Sequence, residues 1–131
     1  MFDYQSLQNF LKVCPGIGLG DPREDTLTSP FRFPSSGKSV EARVCFLSES
    51  YVKVHDAGAA VKEAGGTAAM RAAPGWEQLR RAVLALNVHL DEEERLFAVA
   101  SGEAQVRGAV AAVIEAQLLV AGFAASLKEG E

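Results

Sequence analysis

With 131 residues, 48% of them hydrophobic and 23% charged, the chain is long enough to bury one core, too apolar for disorder and too interrupted by charge for a membrane protein. A net charge of −4, from 17 acidic and 13 basic residues, gives no basic field to draw a phosphate backbone, so nucleic acid is not the expected partner. The basic residues are also too many for a carboxylate-lined mimic of DNA.

Residues 2–13 place Phe2, Leu7, Phe10, Leu11 and Val13 at helical spacing, and Cys14-Pro15-Gly16 ends the run. A glycine-rich loop follows, and Leu27, Phe31 and Phe33 then mark an irregular first strand. Pro30 and Pro34 lack a ladder N–H and confine that strand to an edge. The strongest signal is a hairpin over residues 40–47 and 51–56. If Leu47 meets Tyr51, then Phe46 faces Val52 and Val44 faces Val54, giving one apolar face with Val40 and Ala42. The other face collects Glu41, Arg43, Cys45, Tyr51, Lys53 and His55, so helices are expected on the first face and water or a partner on the second.

Residues 57–64 read as a short helix stopped by Gly65-Gly66, and residues 67–73 fit no single pattern. Pro74 opens a helix whose buried stripe is Trp76, Leu79, Val83 and Leu86. A second hairpin is expected over residues 87–90 and 95–100, turning at Asp91-Glu92-Glu93-Glu94. The last helix, over residues 103–127, places Ala109, Ala112, Val113, Ala116, Leu119, Val120 and Phe123 toward the sheet. A second apolar group, Val110, Ile114, Leu118 and Ala121, projects elsewhere, and Arg107, Glu115, Gln117 and Lys128 are too few to make a solvated face. The same charges would be costly in hydrocarbon, so no membrane span is expected. The fold expectation is a single α+β domain over residues 1–131: an antiparallel sheet of about four to five strands, helices packed on one face, and a long C-terminal helix.

The candidates for chemistry are few. Adjacent strand residues point to opposite faces, so His55 and Asp56 do not form a dyad, and Asp56 is placed to cap the helix that follows. His89 stands alone between Val88 and Leu90, and a metal needs at least three convergent donors. The run 91–94 lacks the pattern of a calcium loop and reads as a solvated turn. Gly16-Ile17-Gly18-Leu19-Gly20 follows a helix instead of a buried strand, and Gly37-Lys38-Ser39 lacks the upstream glycine of a P-loop. Cys14 and Cys45 fall in different elements with no C-x-x-C and read as reduced thiols in a reducing cytoplasm, Cys45 lying near Arg43 and Lys53. Met1-Phe2-Asp3-Tyr4 offers no basic start to an apolar run, so export by a cleaved signal is not expected. No cofactor and no metal site are expected.

The order of a short helix, Leu27-Thr28-Ser29-Pro30-Phe31-Arg32-Phe33-Pro34, a hairpin ending in Tyr51-Val52-Lys53-Val54-His55-Asp56-Ala57-Gly58, and a late hairpin before an apolar terminal helix resembles the domain-of-unknown-function family numbered 1828. Ser29-Pro30-Phe31 and Asp56-Ala57-Gly58 stand where its members carry Thr-Pro-Phe and Asp-x-Gly. The resemblance implies no activity. It does imply company, since such small bacterial, plasmid and phage proteins sit on mobile elements whose accessory genes include inhibitors of host defence complexes.

The expected function is therefore that of a small non-enzymatic protein that binds another protein, with a phage- or plasmid-encoded inhibitor of a bacterial defence complex as its setting. Arg43, Tyr51, Lys53 and His55 are the expected docking residues, because Arg and aromatic side chains on an exposed sheet anchor interfaces. Val110, Ile114, Leu118 and Ala121 are the expected homodimer contact. The alternatives are a metal-dependent hydrolase or nuclease-like enzyme gathering Asp56, His55 and Glu41 around a divalent ion, and a structural accessory subunit.

Overall fold

The computed structural model describes residues 24–46, 52–101 and 103–129. The helix expected over residues 2–13, the glycine loop, Cys14 and the hairpin tip with Leu47 and Tyr51 lie outside the described residues. Five antiparallel strands make one sheet, β1 (Glu24–Arg32), β2 (Ser39–Phe46), β3 (Val52–His55), β4 (His89–Leu90) and β5 (Leu96–Ala100), in the spatial order β1-β2-β3-β5-β4. Four helices accompany it among the described residues: α1 (Ala59–Glu63), α2 (Thr67–Ala72), α3 (Trp76–Ala85) and α4 (Glu103–Glu129). This is the α+β arrangement that the alternating strands and the long apolar terminal segment predict.

Strand β1 is an edge, and its register against β2 shifts between Thr28 and Arg32, around Pro30. Proline offers no ladder donor there, and Ser29 keeps its inward place in the alternation with Leu27, Phe31 and Phe33. Ser29 is buried without cost because its hydroxyl donates to the Val40 carbonyl at 2.5 Å and accepts from the Phe31 N–H at 3.2 Å. In the β2–β3 pair Val44 faces Val54 and Phe46 faces Val52, as the alternation requires. Strand β5 then lies along the other side of β3, with Val54 opposite Ala98 and Val52 opposite Ala100. The apolar side of these three strands forms the floor of the core.

Helix α4 lies on that floor against β5, β2 and β3, with α1 and α3 along its flanks. Its buried positions include Val106, Ala109, Val110, Val113, Ile114, Ala116, Gln117, Val120, Ala121 and Ala124. At about 100° per residue these fall on one arc somewhat under half the helix circumference. The two apolar stripes expected for this helix are thus not two faces. Val110, Ile114 and Ala121 are buried with the sheet-facing set, because α1 and α3 close over the flanks of α4. Of the four residues expected at a homodimer contact, only Leu118 remains partly accessible, while Leu119, expected on the sheet, is 37% exposed. Each buried Val or Ile contributes about 1.5–3 kcal/mol through removal from water.

Gln117 departs furthest from expectation. Placed by sequence among the outward polar residues, it is fully buried and its Nε2 donates to the Glu41 carbonyl at 2.7 Å. Glu41 lies past the last β2–β3 pair, Arg43 with His55, where the ladder supplies no further donor. The amide thus satisfies a carbonyl that the short β3 cannot reach. Residues 105–126 are long and apolar enough to cross a membrane by composition, but half of that stretch is buried inside the protein, as the core helix of a two-layer fold is.

Candidate functional site

The side of the sheet away from α4 is where the alternation sends the polar residues. Strand pairing sets Thr26, Arg43, His55, Phe97 and His89 in one row that crosses all five strands. The next row holds Cys45, Lys53 and Val99. Thr26, Arg43 and His89 are exposed, Cys45, Lys53 and Phe97 are half-buried, and Val99 is 52% exposed where β5 runs on past the two-residue β4, which pairs only with Leu96 and Phe97.

The polar members of this face are held in place. Lys53 Nζ sits 4.6 Å from the centre of the Phe97 ring and 3.4 Å from Asp91 Oδ2, so the aromatic face and the carboxylate share one cation. His89 leans on the other side of the site, its ring centre 5.6 Å from that of Phe97. Asp91 organises the β4–β5 turn, accepting from the Glu93 and Arg95 N–H groups at 2.9 Å each and from Arg95 Nε at 2.8 Å. Desolvation pushes the Asp91 carboxyl up. The Arg95 N–H and guanidinium and the Glu93 N–H outweigh it, and the group is held at about 2.

The expected docking residues separate on this face. Arg43 is exposed and Lys53 is half-buried and engaged as described. Tyr51 lies outside the described residues. His55 is a correction: register puts it in the outer row, yet it is only 5% exposed. Its Nδ1 turns back to accept the Ala57 N–H at 3.0 Å, and Arg43 and Phe97 stand beside it in the row. At that exposure it offers little surface to a partner. Phe97 and Val99 were not singled out from the sequence, and His89 was weighed there only as a metal ligand. The signal was there in the alternation of Leu96, Ala98 and Ala100 with Phe97 and Val99, but its sense depends on β5 pairing with β3, which no local pattern specifies.

The chemistry weighed from sequence does not assemble. Asp56 is 3% exposed, and its carboxylate accepts three backbone N–H groups: Gly58 at 2.8 Å, Leu96 at 2.9 Å and Ala60 at 3.2 Å. Burial pushes this carboxyl above its usual range against the pull of those donors. A cleft of about 620 Å³ opens beside it, lined by Lys38, Glu41, Arg43, Lys62 and Glu63. Glu63 is itself engaged by the hydroxyls of Ser35, at 3.0 Å, and Ser36. Asp56 is engaged by backbone N–H groups and His55 Nδ1 is turned inward, so among the described residues these two do not gather with Glu41 as a metal or an acid–base pair would need. Among the described residues no three His, Cys, Asp or Glu side chains converge.

No family model, no curated protein and no solved structure matches the chain.

Proposed function

We propose that this protein acts by docking on another protein through the outer face of its sheet, without a catalytic step of its own. The observation that carries this reading is Val99, an aliphatic side chain 52% exposed on the outer face of β5 past the end of β4, with Lys53 opposite it on β3 and Phe97 two residues away on the same face. An exposed apolar side chain beside an aromatic ring and a lysine stem has the anatomy of an interface, and it favours a partner surface with an apolar centre. The face carries both signs, Arg43 and Lys53 with Glu41 on the same side of β2 and Asp91 paired to Lys53, so its apolar patch and not its charge carries the reading. The same reading places the protein in a reducing cytoplasm. Inhibition of a bacterial defence complex, the setting that the family resemblance implies, is the one to test first.

The test is affinity capture from the native host after nuclease digestion, comparing the wild-type chain with Arg43→Glu and with Val99→Asp. Val99 is exposed, so the melting temperature of Val99→Asp stays near wild type, and Arg43→Glu is checked for folding by circular dichroism; each substitution weakens the captured complex by about tenfold or more. Partners recovered equally by the wild-type chain and both variants would place binding elsewhere on the molecule.

A further inference from the structure

Helix α4 buries one arc against the sheet and turns the opposite arc outward. That outer arc carries Arg107, Gly108, Leu119 and Gly122, all exposed, and Ala111, Ala112, Glu115 and Leu118, all half-buried. From residue 107 to residue 126 the helix has only two charges, Arg107 and Glu115, and neither has an ion pair or hydrogen bond among the described residues. Two leucines and two lone opposite charges on six turns of otherwise small side chains make a face that ordinary solvation does not explain.

We propose that this face pairs with its own copy: α4 packs antiparallel on α4 of a second molecule about a two-fold axis near Ala111. The charges choose this arrangement. Arg107 lies four residues to one side of Ala111 and Glu115 four residues to the other, so a two-fold axis there sets each Arg107 beside Glu115 of the partner subunit. Within one helix the two are about 12 Å apart along the axis, too far to pair, so their complementarity is usable only between copies. A parallel pair, or an antiparallel pair centred on Glu115, would press like charges together. The small side chains Gly108, Ala111 and Ala112 at the crossing let the backbones approach to the usual 8–10 Å or so, and Leu118 and Leu119 then meet the opposing helix. A single helix pair stays near or below the ~1,200 Å² of stable interfaces, so the dimer is reversible and depends on concentration. This contact is independent of the sheet-face reading.

Sedimentation velocity of the full chain over a range of concentrations tests it. The wild-type protein shifts from monomer to dimer as concentration rises. Arg107→Glu alone and Glu115→Arg alone each raise the dissociation constant tenfold or more, and the two together restore it, because the pair is re-formed with its signs exchanged. Far-UV circular dichroism confirms that each variant is folded. A wild-type monomer at every concentration would overturn the proposal, as would a dimer that ignores the charge reversals. A dimer dissociated by Val99→Asp and not by the helix variants would overturn it too, since the contact would then lie on the sheet.

Discussion

Asp56 closes three elements at once. Its Oδ1 takes the N–H of Gly58 in the turn and of Leu96 at the start of β5, and its Oδ2 takes that of Ala60 in α1. Asp56→Ala leaves these three N–H groups without an acceptor in a buried setting, and each such loss costs about 1–3 kcal/mol before relaxation. The expected outcome is a loss of about 2–4 kcal/mol in urea denaturation. Asp56→Asn loses less, since its carbonyl oxygen still serves Gly58 and Leu96 while its amide nitrogen opposes the Ala60 N–H. Equal stability of wild type and Asp56→Ala would mean that other acceptors take over, and the carboxylate would then need another explanation. The capping role was legible in sequence from a carboxylate placed just before an alanine-rich helix. The burial of His55 was not, because alternation fixes the side of a sheet on which a side chain lies and says nothing of what covers it. Gln117 was misplaced for a related reason: an amide in an apolar helix reads as solvent-facing until the carbonyl it serves, 76 residues away in sequence, is known.

The β4–β5 hairpin is held by one carboxylate at its turn. Asp91 binds Arg95 and Lys53 and the N–H groups of Glu93 and Arg95, while the Asp91 N–H donates to the Arg95 carbonyl at 3.0 Å. Since the folded state holds this carboxyl at about 2 against an ordinary 3.8, its contribution to stability is fully present above pH 4 or so and is lost as pH falls toward 2. Thermal melts over this interval should show the wild-type protein losing stability with acid more steeply than Asp91→Asn. Parallel pH profiles for the two proteins would contradict the assignment. Hairpins of this kind were readable from sequence: alternation set the β2–β3 register residue by residue, and Pro30 marked β1 as an edge. Which apolar residues of α4 are left over was not readable. The width of its buried arc depends on α1, which is too short and alanine-rich for its docking to be deduced from its own sequence, and on α3, whose readable stripe of Leu79 and Val83 does not name the element it packs on.

At the scale of the molecule, two layers leave two outward surfaces. The sheet presents Val99 with Phe97 and Lys53 on one side, and α4 presents Arg107, Ala111, Glu115 and Leu119 on the other, so the two proposed contacts do not compete for space. A dimer formed back to back through α4 carries its two docking faces pointing away from each other. Opposed faces cannot reach one flat surface together, so dimerisation adds no avidity on a planar layer of partner, whereas it lets one dimer bridge two partner molecules. Once a partner has been captured, particles coated with it should therefore be clustered by the wild-type protein. Arg107→Glu binds the same particles with unchanged affinity per face and leaves them dispersed. Light scattering reads the difference directly. Equal clustering by the charge-reversed variant, or tighter retention of the wild type on a flat partner-coated surface, would show that the two faces do not lie back to back.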